Sequence, residues 1–131
     1  MARVNHKEEG ERFLADNAKY DDVHVTASGL QYMVRKQGDG PRPGPNDTVE
    51  VNYHGTFLNN KAFDSTYSGD PATLSLDSVI DGWREGLQLM PVGSVYRFYI
   101  PHDLAYGEDG YEDLIPPYAT LIFEIELLGI V

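Results

Sequence analysis

The chain has 131 residues, 41% hydrophobic and 24% charged, which is the size and composition of one globular domain. It contains no cysteine, and this excludes disulfides, thiol nucleophiles and thiolate metal sites. No stretch approaches the roughly 20 apolar residues of a membrane-spanning helix, so we expect no membrane partner.

The charge is strongly acidic and unevenly distributed. The formal net charge is −11, and residues 62–131 hold twelve of the 21 acidic but only two of the ten basic side chains. A surface of that sign repels phosphate backbones, so we expect no nucleic-acid partner. The residues after Met1 are polar and charged, unlike a secretory signal. This favours a cytoplasmic protein, or a periplasmic one if a signal peptide was removed.

The first predicted element is a charged helix at residues 5–19. Asn5 followed by Glu8 has the spacing of a capping box, with Asn as the cap. The apolar stripe is thin and consists of Phe13, Leu14 and Ala18. The sequence leaves open whether this helix docks lightly on the domain or projects from it.

Alternating apolar and polar residues predict the strands of one sheet. The clearest strand lies at residues 48–57, where Val49, Val51 and Tyr53 face the same way. The other predicted strands, some of them short, lie at residues 23–25, 30–36, 72–76, 94–100 and 120–128. Five or six strands with one internal helix predict an α+β fold, an antiparallel sheet curled over that helix.

The internal helix is predicted at residues 79–90, which hold the only tryptophan of the chain. Its apolar residues recur at spacings of three and four and share one face: Ile80, Trp83, Leu87 and Met90. Gly82 and Gly86 each cost a helix about 1 kcal/mol relative to alanine, which indicates a close approach to an overlying sheet. Two interpretations stay open: a core helix, or a helix whose indole forms the floor of an apolar pocket.

Covalent and metal chemistry find little support in the sequence. No serine lies in a nucleophile-elbow context, and the four histidines are scattered, which argues against a zinc site. The acidic cluster at residues 108–113 lacks the ligand pattern of an EF-hand and is interpreted as a solvated loop. We therefore expect neither a metal nor a cofactor.

Five aromatic residues lie on separate predicted elements, each next to small or turn residues: Tyr53, Phe63, Trp83, Tyr106 and Phe123. They could converge on one concave apolar pocket with a few polar groups. The alternative is that they are ordinary core residues, and composition alone favours that interpretation.

Seven short motifs occur in order along the chain: VEVNYHGT at 49–56, FDS at 63–65, VIDGW at 79–83, MPVG at 90–93, IP at 100–101, AYG at 105–107 and IPPYATLIF at 115–123. Together they resemble the FKBP-type peptidyl-prolyl cis-trans isomerases, the immunophilins that bind tacrolimus and rapamycin. Residues 9–15 and 28–32 are similar to the bacterial macrophage infectivity potentiator branch. The resemblance divides the chain into a charged helix and linker at 1–22 and an isomerase domain at 23–131.

The resemblance implies a twisted antiparallel sheet wrapped around a short helix, and a rotamase that accelerates X-Pro rotation in folding or unfolded polypeptides. The twisted amide would be bound in an aromatic pocket, and chaperone-like activity could accompany catalysis. The alternative is a low-turnover binding module for proline-containing segments. Macrolides of the tacrolimus and rapamycin type are expected as inhibitors, and the protein as a monomer or a weak dimer through its N-terminal helix.

The resemblance also implies the residues of the site. The catalytic ones would be Tyr53, Phe63, Asp64, Trp83, Tyr106 and Phe123. Those that bind substrate or inhibitor would be Val79, Ile80, Tyr111, Leu114 and Ile115. Trp83 would form the floor, the Ile80 N–H and the Tyr106 hydroxyl would hold carbonyls, and Asp64 would orient polar groups.

Three departures from the family pattern bear on the site. Ala72 stands where many relatives have a pocket-side phenylalanine. The loop at residues 65–71 is one residue shorter than usual and lacks the arginine that commonly pairs with the aspartate matching Asp64. The loop around Tyr111 is unusually acidic, so we expect basic residues beside the substrate proline to be favoured.

Overall fold

A computed structural model describes residues 5–67 and 69–131. One sheet of seven strands dominates it, with every pairing antiparallel. The strands are β1 (Val23–Val25), β2 (Gln31–Lys36), β3 (Thr48–Thr56), β4 (Ala62–Ser65), β5 (Ala72–Ser75), β6 (Val95–Ile100) and β7 (Leu121–Ile130), and the helices are α1 (His6–Asn17), α2 (Asp81–Leu87) and a 3-10 turn, His102–Leu104. The predicted α+β fold is confirmed.

The strand order is β1-β2-β6-β7-β3-β4, with β5 also paired to β3. The count is seven rather than five or six because β4, which the sequence places only after a turn, is a strand. Within β4 only Phe63 is half-buried, so the segment has no apolar alternation to reveal it. Asn60 adopts a left-handed conformation (φ 69°) and turns the chain back, so that Asp64 pairs with Gly55 of β3.

Helix α2 lies against one face of the sheet, packed on β6. A Cβ at Gly82 would come within 2.6 Å of Ile100 Cγ2, and one at Gly86 within 2.6 Å of Phe98 Cε1. The close approach predicted from these glycines is therefore confirmed. It allows Leu87 at the end of the helix to be completely buried. Placing α2 so near the sheet also fixes its first turn beside β3 and β7.

Helix α1 docks on the sheet, which settles the question that its thin apolar stripe left open. The Asn17 side chain is buried and donates to Gln31 Oε1 (2.8 Å), while Gln31 Nε2 donates to the Leu14 carbonyl (2.9 Å). At Gly10 a Cβ would overlap Thr120 Oγ1. Phe13 of the thin stripe adds one aromatic contact, 5.9 Å from Tyr99 between ring centroids, while the other contacts are polar or backbone-mediated and were not predicted by hydrophobic periodicity.

The predicted start of α1 is confirmed, since Asn5 Oδ1 accepts a hydrogen bond from the Glu8 N–H at 3.1 Å. Residues 1–4 of the predicted extension lie outside the described residues, and its boundary at residue 22 stays a prediction. Within the ranges that the structure describes, no helix is long and apolar enough to cross a bilayer.

Candidate functional site

A cavity of about 520 Å³ opens where α2, β3, β4, β7 and the loop before β7 meet. Its volume is within the range of small-ligand pockets. All eleven residues predicted for the site line it, together with Leu74 and Ser78: Tyr53, Phe63, Asp64, Val79, Ile80, Trp83, Tyr106, Tyr111, Leu114, Ile115 and Phe123. The chain thus brings together residues that are up to 70 positions apart in sequence.

The floor of the cavity is a box of aromatic rings packed edge to face. Trp83 is only 5% exposed. Its ring stands nearly perpendicular to Tyr53 (85°, 5.0 Å between centroids) and to Phe123 (87°, 5.2 Å). Phe63 meets Phe123 at 85° and 5.4 Å. Such pairs are worth about 0.5–1.5 kcal/mol each beyond simple burial, so the box is a rigid apolar surface.

Backbone features explain how the box is assembled. Gly55 of β3 leaves the space that the rings occupy, since a Cβ there would lie 2.6 Å from Phe123 Cε1 and 2.9 Å from Phe63 Cζ. Trp83 lies in the first turn of α2, facing the cavity, while Leu87 one turn later is part of the core. The two interpretations of this helix, core element and pocket floor, are therefore both correct for different residues.

A polar group lies at the edge of the box. The Tyr53 hydroxyl donates to Asp64 Oδ2 at 2.7 Å. Burial raises the pKa of the Tyr53 hydroxyl, and the hydrogen bond to Asp64 and the charge of Asp64 raise it further. Burial also raises the pKa of Tyr106, with smaller effects of Tyr111 and Asp64. Both phenols therefore remain protonated, and able to donate hydrogen bonds, throughout the neutral range.

Ile80 provides the junction between the rim and α2. Its backbone is extended (φ −62°, ψ 154°), and its carbonyl accepts hydrogen bonds from the Trp83 and Arg84 amides at 3.0 and 3.1 Å. The Ile80 carbonyl thus accepts the first hydrogen bonds of α2, whereas the Ile80 N–H precedes the first turn of the helix.

The loop before β7 overhangs the cavity. Tyr111 and Ile115 exchange two backbone hydrogen bonds of 2.9 and 3.0 Å, closing a tight turn. This turn places Ile115 inside, 2% exposed, and leaves Tyr111 and Leu114 about half exposed at the rim. The Tyr111 ring lies 5.2 Å from Tyr106.

Sequence reasoning missed two residues that line the cavity. The structure also shows where two departures from the family pattern lie, Ala72 and the shortened loop at residues 65–71. Leu74 belongs to β5 and Ser78 to the turn before α2, and neither differs in sequence from an ordinary strand or turn residue. Ala72 pairs with Val51 and is not one of the lining residues. In the shortened loop, Ser68 lies outside the described residues; Thr66 fixes the loop start by accepting from the Tyr53 N–H at 2.8 Å.

The lining of the cavity is that of a pocket for an organic ligand. Among the residues that the structure describes, no three His, Asp or Glu side chains are grouped to hold a metal ion. The lining combines apolar rings with a few hydroxyl, carboxylate and amide groups, a combination suited to an apolar ligand that carries carbonyls.

Comparison with known proteins agrees with this geometry. Residues 40–128 match the family model of the FKBP-type peptidyl-prolyl cis-trans isomerase, and residues 2–34 match that of the domain amino-terminal to it. The FKBP-type isomerase FkpA of Aeromonas hydrophila is 50% identical over 128 residues, 97% of this chain and 47% of that protein. The peptidyl-prolyl cis-trans isomerase Mip of Coxiella burnetii is 44% identical over 124 residues, 94% and 54% respectively.

A solved structure extends the likeness to three dimensions. The 1.6 Å crystal structure of a peptidyl-prolyl cis-trans isomerase from Pseudomonas syringae pv. tomato superimposes with a TM-score of 0.91 at 38% identity, covering 99% of this chain and 98% of that one. The chain spans about half the length of the curated relatives compared above. With a family model matched over most of its length, the chain belongs to the FKBP-type peptidyl-prolyl cis-trans isomerase family.

Proposed function

We propose that this chain is an active peptidyl-prolyl cis-trans isomerase that accelerates X-Pro rotation in unfolded or partly folded polypeptides. The observation that carries the proposal is the aromatic box of Tyr53, Trp83 and Phe123, completed by Phe63, with hydroxyl and carboxylate groups at its edge. Such a box offers a proline ring a fitted apolar surface, and it offers the adjoining carbonyls hydrogen-bond donors.

The chemistry requires no nucleophile and no cofactor. Rotation about an amide C–N bond is slow because resonance gives a barrier of about 18–20 kcal/mol. Twisting the bond removes that resonance and leaves a less dipolar carbonyl. An apolar, water-poor pocket therefore stabilises the twisted amide more than the planar one, and each 1.36 kcal/mol of this difference is worth about tenfold in rate.

Each part of the site has a proposed role. The proline ring packs on Trp83, which is only 5% exposed. The Ile80 N–H and the Tyr106 hydroxyl hold the carbonyls on either side, and Asp64, held by Tyr53, orients polar groups at the edge. Tyr111 and Leu114 cover the substrate from the overhanging loop.

The proposal extends to ligands and clients. Macrolides of the tacrolimus and rapamycin type should compete for the same box. Because the rim carries acidic residues and the cavity lining has no Lys or Arg, polypeptides with basic residues beside the proline should be preferred. Chaperone-like holding of such chains is part of the proposal. So are a cytoplasmic location, with a periplasmic alternative, and a monomer or weak dimer.

A protease-coupled isomerisation assay on a short X-Pro peptide tests the proposal and separates it from the binding-module alternative. We expect turnover that is abolished by an excess of tacrolimus. The Tyr106→Phe variant should retain the ring and lose part of the rate, about three- to tenfold, the value of one neutral hydrogen bond in the transition state. Peptide binding without measurable turnover would favour the binding module and contradict the isomerase.

A further inference from the structure

A second concavity, of about 420 Å³, lies beside the N-terminal end of α1. Three segments form it: α1 contributes His6 and Glu9, the turn between β3 and β4 contributes Leu58 and Lys61, and the loop before β7 contributes Pro116. We call it the α1 groove. Leu58 and Pro116 are only half-buried, so within residues 5–67 and 69–131 the floor presents apolar surface that is not fully covered.

The α1 groove is separated from the aromatic box by a single layer of side chains. Phe57 lines the groove and packs against Phe63, which lines the box, with 4.8 Å between the ring centroids. The two cavities also meet in the loop before β7, where Ile115 lines the box and Pro116 lines the groove. The groove and the box are therefore neighbouring cavities.

The charge of the groove differs from that of the box. Its lining holds one acidic side chain, Glu9, one basic side chain, Lys61, and His6, whose Nδ1 lies 3.8 Å from Glu9 Oε1. In a protein of net charge −11 this is a nearly neutral site. Apolar contact rather than charge would therefore decide what binds there.

We propose that the α1 groove is a second subsite for the polypeptide substrate, which accepts an apolar side chain a few residues from the isomerised proline. The inference rests on the proposed function, because the proline in the box sets the register. An extended chain rises about 3.3 Å per residue, so it crosses the Phe57–Phe63 wall within a few residues. Folded chains seldom expose such a segment, and the subsite would thus favour unfolded or partly folded clients.

The test is a register scan with peptides in which one leucine is placed two to six residues before or after the proline, all other flanking positions being serine or glycine. For the wild-type protein we expect one narrow range of positions to lower KM about tenfold relative to the peptide with serine there, as the partial burial of a leucine predicts. The kcat should stay the same, because the leucine is bound equally in the planar and twisted states.

Two variants locate the effect. Leu58→Ser removes apolar floor from the α1 groove and should reduce the leucine preference to less than about twofold, with turnover of a short X-Pro peptide unchanged. Asn60→Gly is the matched control in the same turn. Asn60 is not among the groove residues and its φ of 69° suits glycine, so the preference should persist.

Amide shifts of Leu58 and Glu9 in the NMR spectrum should move on titration with the leucine peptide and not with its serine counterpart. If the wild-type protein turns over the short peptide but no leucine position lowers KM, the second subsite is refuted while the isomerase proposal stands. If the leucine preference in KM is unchanged in the Leu58→Ser variant, the leucine binds outside the α1 groove, which contradicts the proposal. If Leu58→Ser instead lowered the sedimentation coefficient of the free protein, the groove would belong to a second copy of the chain, which also overturns the proposal.

Discussion

The Tyr53 hydroxyl donates a hydrogen bond of 2.7 Å to Asp64 Oδ2 at the edge of the aromatic box. The bond joins β3 to β4, and the pairing of Gly55 with Asp64 sets its direction. In relatives, the resemblance implies, an arginine commonly holds the matching aspartate; in this chain Tyr53 holds it. The orientation of Asp64 therefore depends on a residue of the box itself.

We predict that Asp64→Ala lowers kcat/KM for a short X-Pro peptide about five- to tenfold. The substitution removes the carboxylate from beside the substrate and leaves the Tyr53 hydroxyl without its hydrogen-bond acceptor. Tyr53→Phe, which keeps the ring, should have a smaller effect. Asp70→Ala, an exposed carboxylate in the following loop, is the control and should leave activity unchanged. Wild-type activity of Asp64→Ala would remove the carboxylate from the site.

A second prediction concerns Phe63, which is half-buried and contacts both Phe123 and Phe57. Phe63→Ala should lower kcat/KM by at least about tenfold and macrolide affinity with it, because one wall of the box is lost. Since the ring is partly exposed, its loss should cost less than the about 3–5 kcal/mol of a buried phenylalanine, and the protein should remain folded.

Circular dichroism and urea denaturation establish that the Phe63→Ala protein is folded, and the isomerisation assay then gives the effect on the site. Tyr67→Ala is the matched aromatic control, because Tyr67 is about half exposed just after β4 and does not line the cavity. A folded Phe63→Ala protein with full activity would show that the pocket has been assigned wrongly.

Much of this architecture could be predicted from the sequence. Alternation in the long strands, such as Val49, Val51 and Tyr53 in β3, predicted the sheet, because each of these strands buries one face. The helix glycines predicted the close approach that Gly86 makes to Phe98. The membership of the site, in contrast, came from the family motifs. Spacing alone could not distinguish a ring of the box from a ring of the core.

What could not be predicted involves contacts without an apolar pattern. Strand β4 has a single half-buried residue, Phe63, and so gives no alternation. Docking of α1 adds to the Phe13–Tyr99 contact the hydrogen bond of Asn17 with Gln31 and the absence of a side chain at Gly10. A search for a helical apolar stripe counts neither of the last two. Leu74 enters the cavity because β5 pairs with β3, a long-range pairing with no local signal.

The docking of α1 gives a third prediction, in which the gain in helix propensity from Gly10→Ala opposes the cost of steric overlap. In a free helix Gly10→Ala would stabilise by about 1 kcal/mol through helix propensity. Here the added methyl overlaps Thr120 Oγ1, an atom of a residue that is only 4% exposed, and overpacking of this kind costs about 1–3 kcal/mol. We expect the overlap to prevail and Gly10→Ala to be destabilising in urea denaturation.

The partner variant provides the control for this prediction. Thr120→Ala removes the overlapping oxygen, so in the double variant Gly10→Ala should become neutral or stabilising, and the double-mutant cycle should give a coupling of about 1–2 kcal/mol. Additive effects of the two substitutions would contradict the close contact between α1 and Thr120, the residue before β7.

A fourth prediction follows from the acidic rim. Glu112 and Asp113 lie in the exposed turn between Tyr111 and Leu114, both of which line the cavity. A peptide with Lys beside the X-Pro unit should have a kcat/KM about three- to fivefold higher than its Glu counterpart at low salt, as expected for exposed charge pairs. At about 1 M salt, where the Debye length is about 3 Å, the difference should vanish.

The double variant Glu112→Gln with Asp113→Asn tests the origin of this preference. It should reduce the Lys-over-Glu ratio while leaving the turnover of a peptide with neutral flanking residues unchanged, since neither side chain lines the box. Equal turnover of the Lys and Glu peptides by the wild-type protein at low salt would refute the electrostatic argument.

The last prediction concerns alkaline pH. Burial raises the pKa of five tyrosine hydroxyls in the folded chain above their ordinary value of about 10: Tyr53, Tyr67, Tyr96, Tyr99 and Tyr106. Above pH 10 the unfolded chain therefore loses protons that the folded chain keeps, and the free energy of unfolding falls as the pH rises. The contribution of these tyrosines to stability is complete below about pH 10 and is lost above it.

We expect thermal denaturation between pH 7 and 11.5 to show two regimes. Up to about pH 9.5 these tyrosines should leave the Tm unchanged, and above that pH the Tm should fall steeply. Tyr53→Phe should make the fall less steep, because it removes one hydroxyl whose pKa is raised by burial. In the folded enzyme the rate should persist to a higher pH than this boundary, because burial raises the pKa of Tyr106 and its hydroxyl donates a hydrogen bond to a carbonyl as long as it is protonated. A loss of kcat/KM between pH 7 and 9 in the folded enzyme would therefore contradict the proposed role of the Tyr106 hydroxyl.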